Sequence, residues 1–89
     1  MKVETAVKLI LNEYRRIFEK YPDEYHSYRE DYALIKEELD DLWDVIRDDG
    51  ERIDLNKAFK VKATQIATLA LRFLTCFVKE PCEEERLDV

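Results

Sequence analysis

Apolar residues recur at steps of three and four along three stretches of the chain, which is the spacing of one face of an α-helix. The first stretch predicts a helix from about Val3 to Lys20. Its apolar positions are Val3, Ala6, Val7, Ile10, Leu11, Tyr14, Ile17 and Phe18. Pro22 should end this helix, because proline cannot continue the pattern of helical hydrogen bonds.

The second stretch predicts a helix from about Glu24 or His26 to Arg47, with Asp23 as its N-cap. The pattern becomes regular toward the C-terminal end, at Leu34, Ile35, Leu39, Leu42, Trp43, Val45 and Ile46. Gly50 should end this helix, since glycine readily adopts the left-handed conformation that caps a helix.

The third stretch predicts a helix from about Leu55 to Lys79, with Asp54 as its N-cap. Its apolar positions are Ala58, Phe59, Ala63, Ile66, Ala67, Leu69, Ala70, Leu71, Phe73, Leu74, Phe77 and Val78. In the same run, Cys76 should be a small buried apolar residue. A helix that is apolar nearly all round must be covered nearly all round, and two other short helices cannot cover it. We therefore expect a second subunit to pack here, most simply in a two-fold helical bundle.

Length and composition agree with one helical domain. The chain has 89 residues, enough for one domain and too few for two. One glycine and two prolines are too few for a turn-rich β protein, and a hydrophobic share of 46% argues against disorder. The predicted fold class is all-α: a bundle of about three helices per chain over residues 1–80, completed by oligomerisation and followed by an acidic tail at 81–89.

The charge and the apolar pattern of the chain exclude two classes of binding partner. The formal net charge is -6 and the basic residues form no patch, so a nucleic-acid partner is not expected. Arg72 and Lys79 interrupt the longest apolar run, so a membrane partner is not expected either. The absence of a signal peptide before the first amphipathic stretch favours a cytoplasmic location. An acidic protein that handles a phosphorylated ligand would need a cation to bridge the like charges.

An acidic run, Glu37-Glu38-Leu39-Asp40-Asp41, lies in the second predicted helix. Glu38 and Asp41 follow Leu34 and precede Val45 at steps of three and four, so both carboxylates share a stripe with apolar residues. Two neighbouring carboxylates on such a stripe repel one another and need a cation. That cation is either Mg²⁺ or Mn²⁺, which prefer carboxylate oxygens, or a basic side chain; simple exposure of the pair is the third alternative.

The third predicted helix carries a candidate partner for these carboxylates. Lys62 lies on an apolar stripe of that helix, and Gln65 lies one turn further along. Three interpretations of Lys62 are open from the sequence. It extends its charge to solvent, it forms an ion pair with Glu38 or Asp41 in place of a metal, or it contacts a ligand phosphate.

Together, these two segments resemble the paired motifs of the MazG-like family of all-α nucleoside triphosphate pyrophosphohydrolases. That family carries a Glu-Glu-x-x-Glu motif on one helix and a Glu-x-x-Asp motif on the next. The acidic run matches the first motif with aspartate in place of its last glutamate. Lys62-Ala63-Thr64-Gln65 stands where the second motif is expected, with twenty residues between Asp41 and Lys62. The flanking runs that also agree are Tyr32-Ala33-Leu34-Ile35, Leu42-Trp43-Asp44 and Ile66 to Phe73, so that the resemblance extends from about His26 to Phe73.

The resemblance implies a helical bundle completed by oligomerisation, with Mg²⁺ or Mn²⁺ held between the two motifs. It implies hydrolysis of a nucleoside triphosphate to the monophosphate and pyrophosphate. Carried over residue by residue, it makes Glu38 and Asp41 metal ligands and Glu37 a ligand or the base that activates water.

The chain departs from the family pattern at the second motif. Lys62 replaces a metal-binding glutamate, and Gln65 replaces a metal-binding aspartate. Lysine offers no ligand and adds a positive charge, whereas glutamine still offers a neutral oxygen. Either the activity is lost, or the metal is held by carboxylates of the second helix alone, drawn from Glu37, Glu38, Asp41 and Asp44.

Residues at the start of the second predicted helix are the candidates for nucleotide binding. Tyr28 offers a ring that can stack on a base and Arg29 a guanidinium that can meet a phosphate, with His26 beside them. For His26, the alternative is a surface residue or a residue at a helix end. His26 is the only histidine of the chain, so a zinc site is not expected.

Three functions are therefore compatible with the sequence. The first is a metal-dependent pyrophosphohydrolase acting on a nucleoside triphosphate. The second is a non-catalytic relative in which Lys62 neutralises the acidic stripe and the protein binds a nucleotide or a partner. The third is an interaction module that docks through its apolar third helix. In each case we expect a homodimer or a dimer of dimers.

Overall fold

The computed structural model describes residues 1–19, 27–48 and 54–79, and these residues form helices and no strand. Helix α1 spans Val3–Tyr14 and continues into one π-helical turn at Arg15–Glu19. Helix α2 spans Tyr28–Arg47, and helix α3 spans Leu55–Phe77. α3 packs against both α1 and α2, which do not contact each other. The all-α prediction is confirmed, and no described helix has the length and apolar character needed to cross a membrane.

Helix α2 begins later than predicted. Ser27 has an extended backbone, and its hydroxyl oxygen accepts a hydrogen bond from the Glu30 N–H at 3.1 Å. Because this N-cap precedes the regular helix, the predicted start at Glu24 or His26 is too early. The predicted end at Arg47 is confirmed. The residues expected to end or cap neighbouring helices (Pro22, Asp23 and Gly50) lie outside the described residues, as does the predicted tail at 81–89.

Helix α3 begins as predicted and ends two residues early. The Asp54 carboxylate accepts a hydrogen bond from the Lys57 N–H at 3.3 Å, which confirms Asp54 as the N-cap. Val78 is already extended, so the helix ends at Phe77 rather than at Lys79. The last turn is poorly covered, and Cys76 is exposed there rather than buried as predicted.

The buried side chains among the described residues are polar or charged rather than apolar. Among the described residues no apolar side chain is buried, whereas Asp31, Thr68 and Arg72 are. The Thr68 hydroxyl donates a hydrogen bond to the Thr64 carbonyl oxygen at 2.7 Å, so its burial is compensated within α3. Because α1 and α2 both pack on α3 but not on each other, the described helices do not close a hydrophobic core, and their apolar side chains are partly buried or exposed.

Arg72, on α3, contacts both α2 and the π-helical turn that follows α1. Its Nε atom lies 3.6 Å from Oδ2 of Asp31 on α2, and its Cζ atom lies 4.4 Å from the ring centroid of Phe18 in the π-helical turn. Asp31 is fully buried, and neither of its carboxylate oxygens has a hydrogen-bond partner among the described residues. The charge of Arg72 is therefore the main compensation for burying this carboxylate.

Candidate functional site

Lys62 on α3 lies between two carboxylates of α2. Its Nζ atom is 3.2 Å from Oε2 of Glu38 and 3.3 Å from Oδ2 of Asp41, and it donates a hydrogen bond to each. Of the three interpretations that the sequence left open for Lys62, the structure shows the ion pair.

The helical spacing explains why these three side chains meet. Glu38 and Asp41 are three residues apart on α2, so they project from the same side of it, toward α3. The side chains of Lys62, Glu38 and Asp41 are 26%, 24% and 46% exposed, respectively. Because water is partly excluded from all three, their attraction is stronger than that of an ordinary surface pair, although it is still screened at Asp41.

The other acidic residues of α2 do not join this cluster. Glu37 is exposed on a different face of the helix. Asp40 pairs with Lys36 at 3.0 Å and Asp44 pairs with Arg47 at 3.0 Å, and all four of these side chains are more than half exposed. Within the described ranges, no three histidine, cysteine, aspartate or glutamate side chains form a group that could hold a metal. The structure thus brings Glu38 and Asp41 together and leaves Glu37 and Asp44 apart from them.

The two carboxylates raise the pKa of the Lys62 ammonium above its ordinary value of 10.5. Burial alone would lower this pKa, but the hydrogen bonds to Glu38 and Asp41 and the charges of both carboxylates together outweigh it. A group whose pKa is raised on folding stabilises the fold fully below its unfolded pKa. The contribution of the ion pair is therefore complete at neutral pH and is lost as the pH rises through the folded pKa.

We expect the stability of the wild type and that of Lys62→Arg to differ at alkaline pH. As the pH rises through the raised pKa of Lys62, the lysine loses its proton and the ion pair, whereas arginine stays charged over the same range. The free energy of unfolding should therefore fall more steeply with pH in the wild type. Urea titrations of both proteins at stepwise pH between about 9 and 12 measure the two slopes. Equal slopes would show that Lys62 does not contribute through its charge.

Gln65 lies one helical turn from Lys62, at the other position of the second motif. Its side-chain Oε1 is buried and has no hydrogen-bond partner among the described residues. A buried amide oxygen without a donor is costly, so this atom can accept a hydrogen bond from a polar group that enters the site. The structure therefore places a neutral acceptor one turn away from the ion pair.

The residues predicted to bind a nucleotide are not gathered around this cluster. Tyr28 is 57% exposed and meets the ring of Phe77 edge-on, with centroids 6.2 Å apart. It lies about 15 Å along α2 from Glu38, at 1.5 Å per residue. Arg29 is exposed and, nine residues before Glu38, projects from the opposite side of the helix. His26 lies outside the described residues.

The buried pair of Asp31 and Arg72 is not predicted by the apolar pattern of the sequence, in which Arg72 only interrupts an apolar run. A signal for it exists in the spacing. Asp31 precedes Asp41 by ten residues, and Arg72 follows Lys62 by ten. On two antiparallel helices, these equal intervals bring Asp31 opposite Arg72 when Asp41 lies opposite Lys62.

Comparisons of the chain with protein-family models, with curated proteins and with solved structures found no match. The MazG-like relationship therefore remains a prediction from the residues between His26 and Phe73, and functional conclusions depend on the helices and the ion pair described above.

Proposed function

We propose that this protein is a non-catalytic helical module with a MazG-like layout, which acts by associating with another protein chain. In this proposal, Lys62 holds the place that a divalent cation holds in the enzymes. The observation that carries it is the position of the Lys62 Nζ atom, within 3.3 Å of oxygens from both Glu38 and Asp41.

The residues present do not fit Mg²⁺ or Mn²⁺ in this arrangement. Either ion would have to share Glu38 and Asp41 with the Lys62 ammonium, which already donates a hydrogen bond to each of these carboxylates. Two positive charges would then be added beside a lysine that keeps its own charge at neutral pH. The ammonium already supplies the counter-charge that Glu38 and Asp41 require, so a metal ion is redundant for the fold.

Charge also argues against a nucleoside triphosphate as substrate. The phosphates of such a ligand would face Glu38 and Asp41 in a chain whose net charge is -6. Without a divalent cation to bridge them, these like charges repel. A role by association is better supported, because no apolar side chain of the described residues is buried within one chain.

A second candidate function is the pyrophosphohydrolase itself, in a weak form. Two observations favour it: Glu38 and Asp41 converge on one cation, and Gln65 has a buried oxygen without a partner. If Lys62 moved away, two carboxylates and one amide oxygen would remain as ligands for Mg²⁺ or Mn²⁺. The substrate would be a nucleoside triphosphate, and Glu37 would be the candidate base.

The two candidates predict different results in an assay of pyrophosphate release. We expect no release above the blank from a panel of ribo- and deoxyribonucleoside triphosphates with Mg²⁺ or Mn²⁺. Glu38→Gln is the control, because it removes one of the two inward carboxylates while keeping the shape of the side chain. Release by the wild type that disappears in Glu38→Gln would establish the enzyme and contradict our proposal. Release that is equal in both proteins would come from a contaminating hydrolase.

A further inference from the structure

A crevice lies between α1 and the N-terminal half of α3. It consists of two cavities of about 270 Å³ each, which adjoin because both are lined by Leu9, Lys60 and Thr64. Together the two cavities fall within the range of about 300–1,000 Å³ that is typical of small-molecule sites. The crevice is therefore large enough for a small ligand.

The second of these cavities has mainly apolar walls. Besides Lys60 and Thr64, it is lined by Met1, Ala6, Leu9, Ile10, Ala63 and Ala67. The Thr64 hydroxyl donates a hydrogen bond to the Lys60 carbonyl oxygen at 2.6 Å, so it needs no partner from a ligand. An apolar chain that entered this cavity would remove the apolar walls from water, which is favourable.

The first cavity contains an unmatched positive charge. Arg16 and Glu13 both line it, but they form an ion pair with each other, so their charges compensate. The Lys60 ammonium, in contrast, has no ion pair and no hydrogen bond with any residue that the structure describes. The exposed side chain of Asn12 lines the same cavity and offers an amide donor.

One negative charge complements this cavity better than any other ligand charge. A carboxylate can accept hydrogen bonds from both the ammonium of Lys60 and the amide of Asn12. A polyphosphate would bring several negative charges to a chain of net charge -6, where a single unmatched ammonium would face them. A cationic ligand would meet the like charge of Lys60.

We infer that the crevice binds a small carboxylate with an unbranched apolar chain, of the chemical class of a medium-chain fatty acid. The carboxylate lies in the first cavity at Lys60 and Asn12, and the chain fills the second cavity. The inference goes beyond the proposed function and does not depend on it. Lys62 projects toward α2, whereas the crevice lies against α1.

Isothermal titration calorimetry with sodium decanoate tests the charge of this site. We expect one decanoate per wild-type chain, and a dissociation constant about fivefold higher for Lys60→Gln, since a partly exposed ion pair contributes about 1 kcal/mol. The matched control is Lys36→Gln, which removes an exposed lysine from α2 and should bind as the wild type does. No saturable binding of decanoate, or equal dissociation constants for Lys60→Gln and the wild type, would overturn the inference.

A second variant, Ala63→Phe, tests the position of the apolar chain. Ala63 is exposed and lines the second cavity, so a larger side chain there should fill the cavity without disturbing a buried position. We expect decanoate binding to weaken at least tenfold, with the helical circular dichroism unchanged. Binding as tight as that of the wild type would show that the chain does not lie in this cavity, and would overturn the inference.

Vesicles of phosphatidylglycerol distinguish a free carboxylate from the headgroups of a lipid surface. We expect no cosedimentation of the protein with these vesicles, because its net charge of -6 is repelled by an anionic surface. Cosedimentation that is lost in Lys60→Gln, without any binding of decanoate, would assign Lys60 to a headgroup and overturn the inference. Pyrophosphate release reports separately on the proposed function, since it does not measure occupancy of this crevice.

Discussion

Replacing Arg72 with methionine should lower the free energy of unfolding by about 3–5 kcal/mol, because the fully buried Asp31 would lose its counter-charge. No described group donates a hydrogen bond to the Asp31 carboxylate, so only the charge of Arg72 compensates its burial. The contact between Arg72 and the ring of Phe18 would be lost as well. A domain of this size is stable by about 5–15 kcal/mol in all, so the loss is severe. Urea denaturation followed by circular dichroism measures it.

Two controls separate the uncompensated charge from other effects of Arg72→Met. Arg47→Met removes an exposed arginine that pairs with Asp44, and it should cost less than about 1 kcal/mol. The double variant Asp31→Leu, Arg72→Met removes both buried charges and should regain most of the lost stability, since apolar replacements of a buried pair are often neutral. A double variant no more stable than Arg72→Met alone would contradict the assignment of the loss to Asp31.

Replacing Lys62 with alanine should make the stability of the protein depend on divalent metal. Without metal, Glu38 and Asp41 would repel one another, and the free energy of unfolding should fall by about 1–2 kcal/mol, a modest loss because the cluster is partly exposed. Saturating Mg²⁺ or Mn²⁺ should restore about 1–3 kcal/mol, because both carboxylates become available as ligands. Urea unfolding with metal and with a chelator measures both changes.

The control for Lys62→Ala is Lys60→Ala, which removes an exposed lysine from the same helix. It changes the net charge by the same amount but leaves Glu38 and Asp41 paired with Lys62. We therefore expect no effect of metal on Lys60→Ala. An equal response of both variants to Mg²⁺ would show that the metal acts through overall charge rather than through this cluster.

Local signals explain which helix ends could be predicted from the sequence. Asp54 and the apolar periodicity after it indicated the start of α3, because an N-cap acts on backbone groups only three residues away. The start of α2 could not be placed, since Asp23 and Ser27 are both capable caps and the apolar pattern between them is weak. The exposure of Cys76 also escaped prediction, because it depends on how much of α3 its neighbours cover.

Part of the candidate site could also be predicted from local spacing along each helix. Steps of three and four on one helix placed Glu38 and Asp41 on a common stripe, and a second stripe placed Lys62 on the facing helix. Whether Lys62 extends to solvent, forms the ion pair or contacts a ligand depends on how α2 is aligned against α3. Local sequence patterns do not determine this alignment. The same alignment determines the pairing of Asp31 with Arg72, so that contact was not predicted.

The most direct test of whether Lys62 replaces a cation is a titration of Mn²⁺ into the wild type and into Lys62→Ala, with bound metal measured by electron paramagnetic resonance. We predict that Lys62→Ala binds one Mn²⁺ per chain and that the wild type shows no such site. Stoichiometric binding of Mn²⁺ by the wild type, lost on Glu38→Gln, would contradict the account, because a metal would then share the site with Lys62.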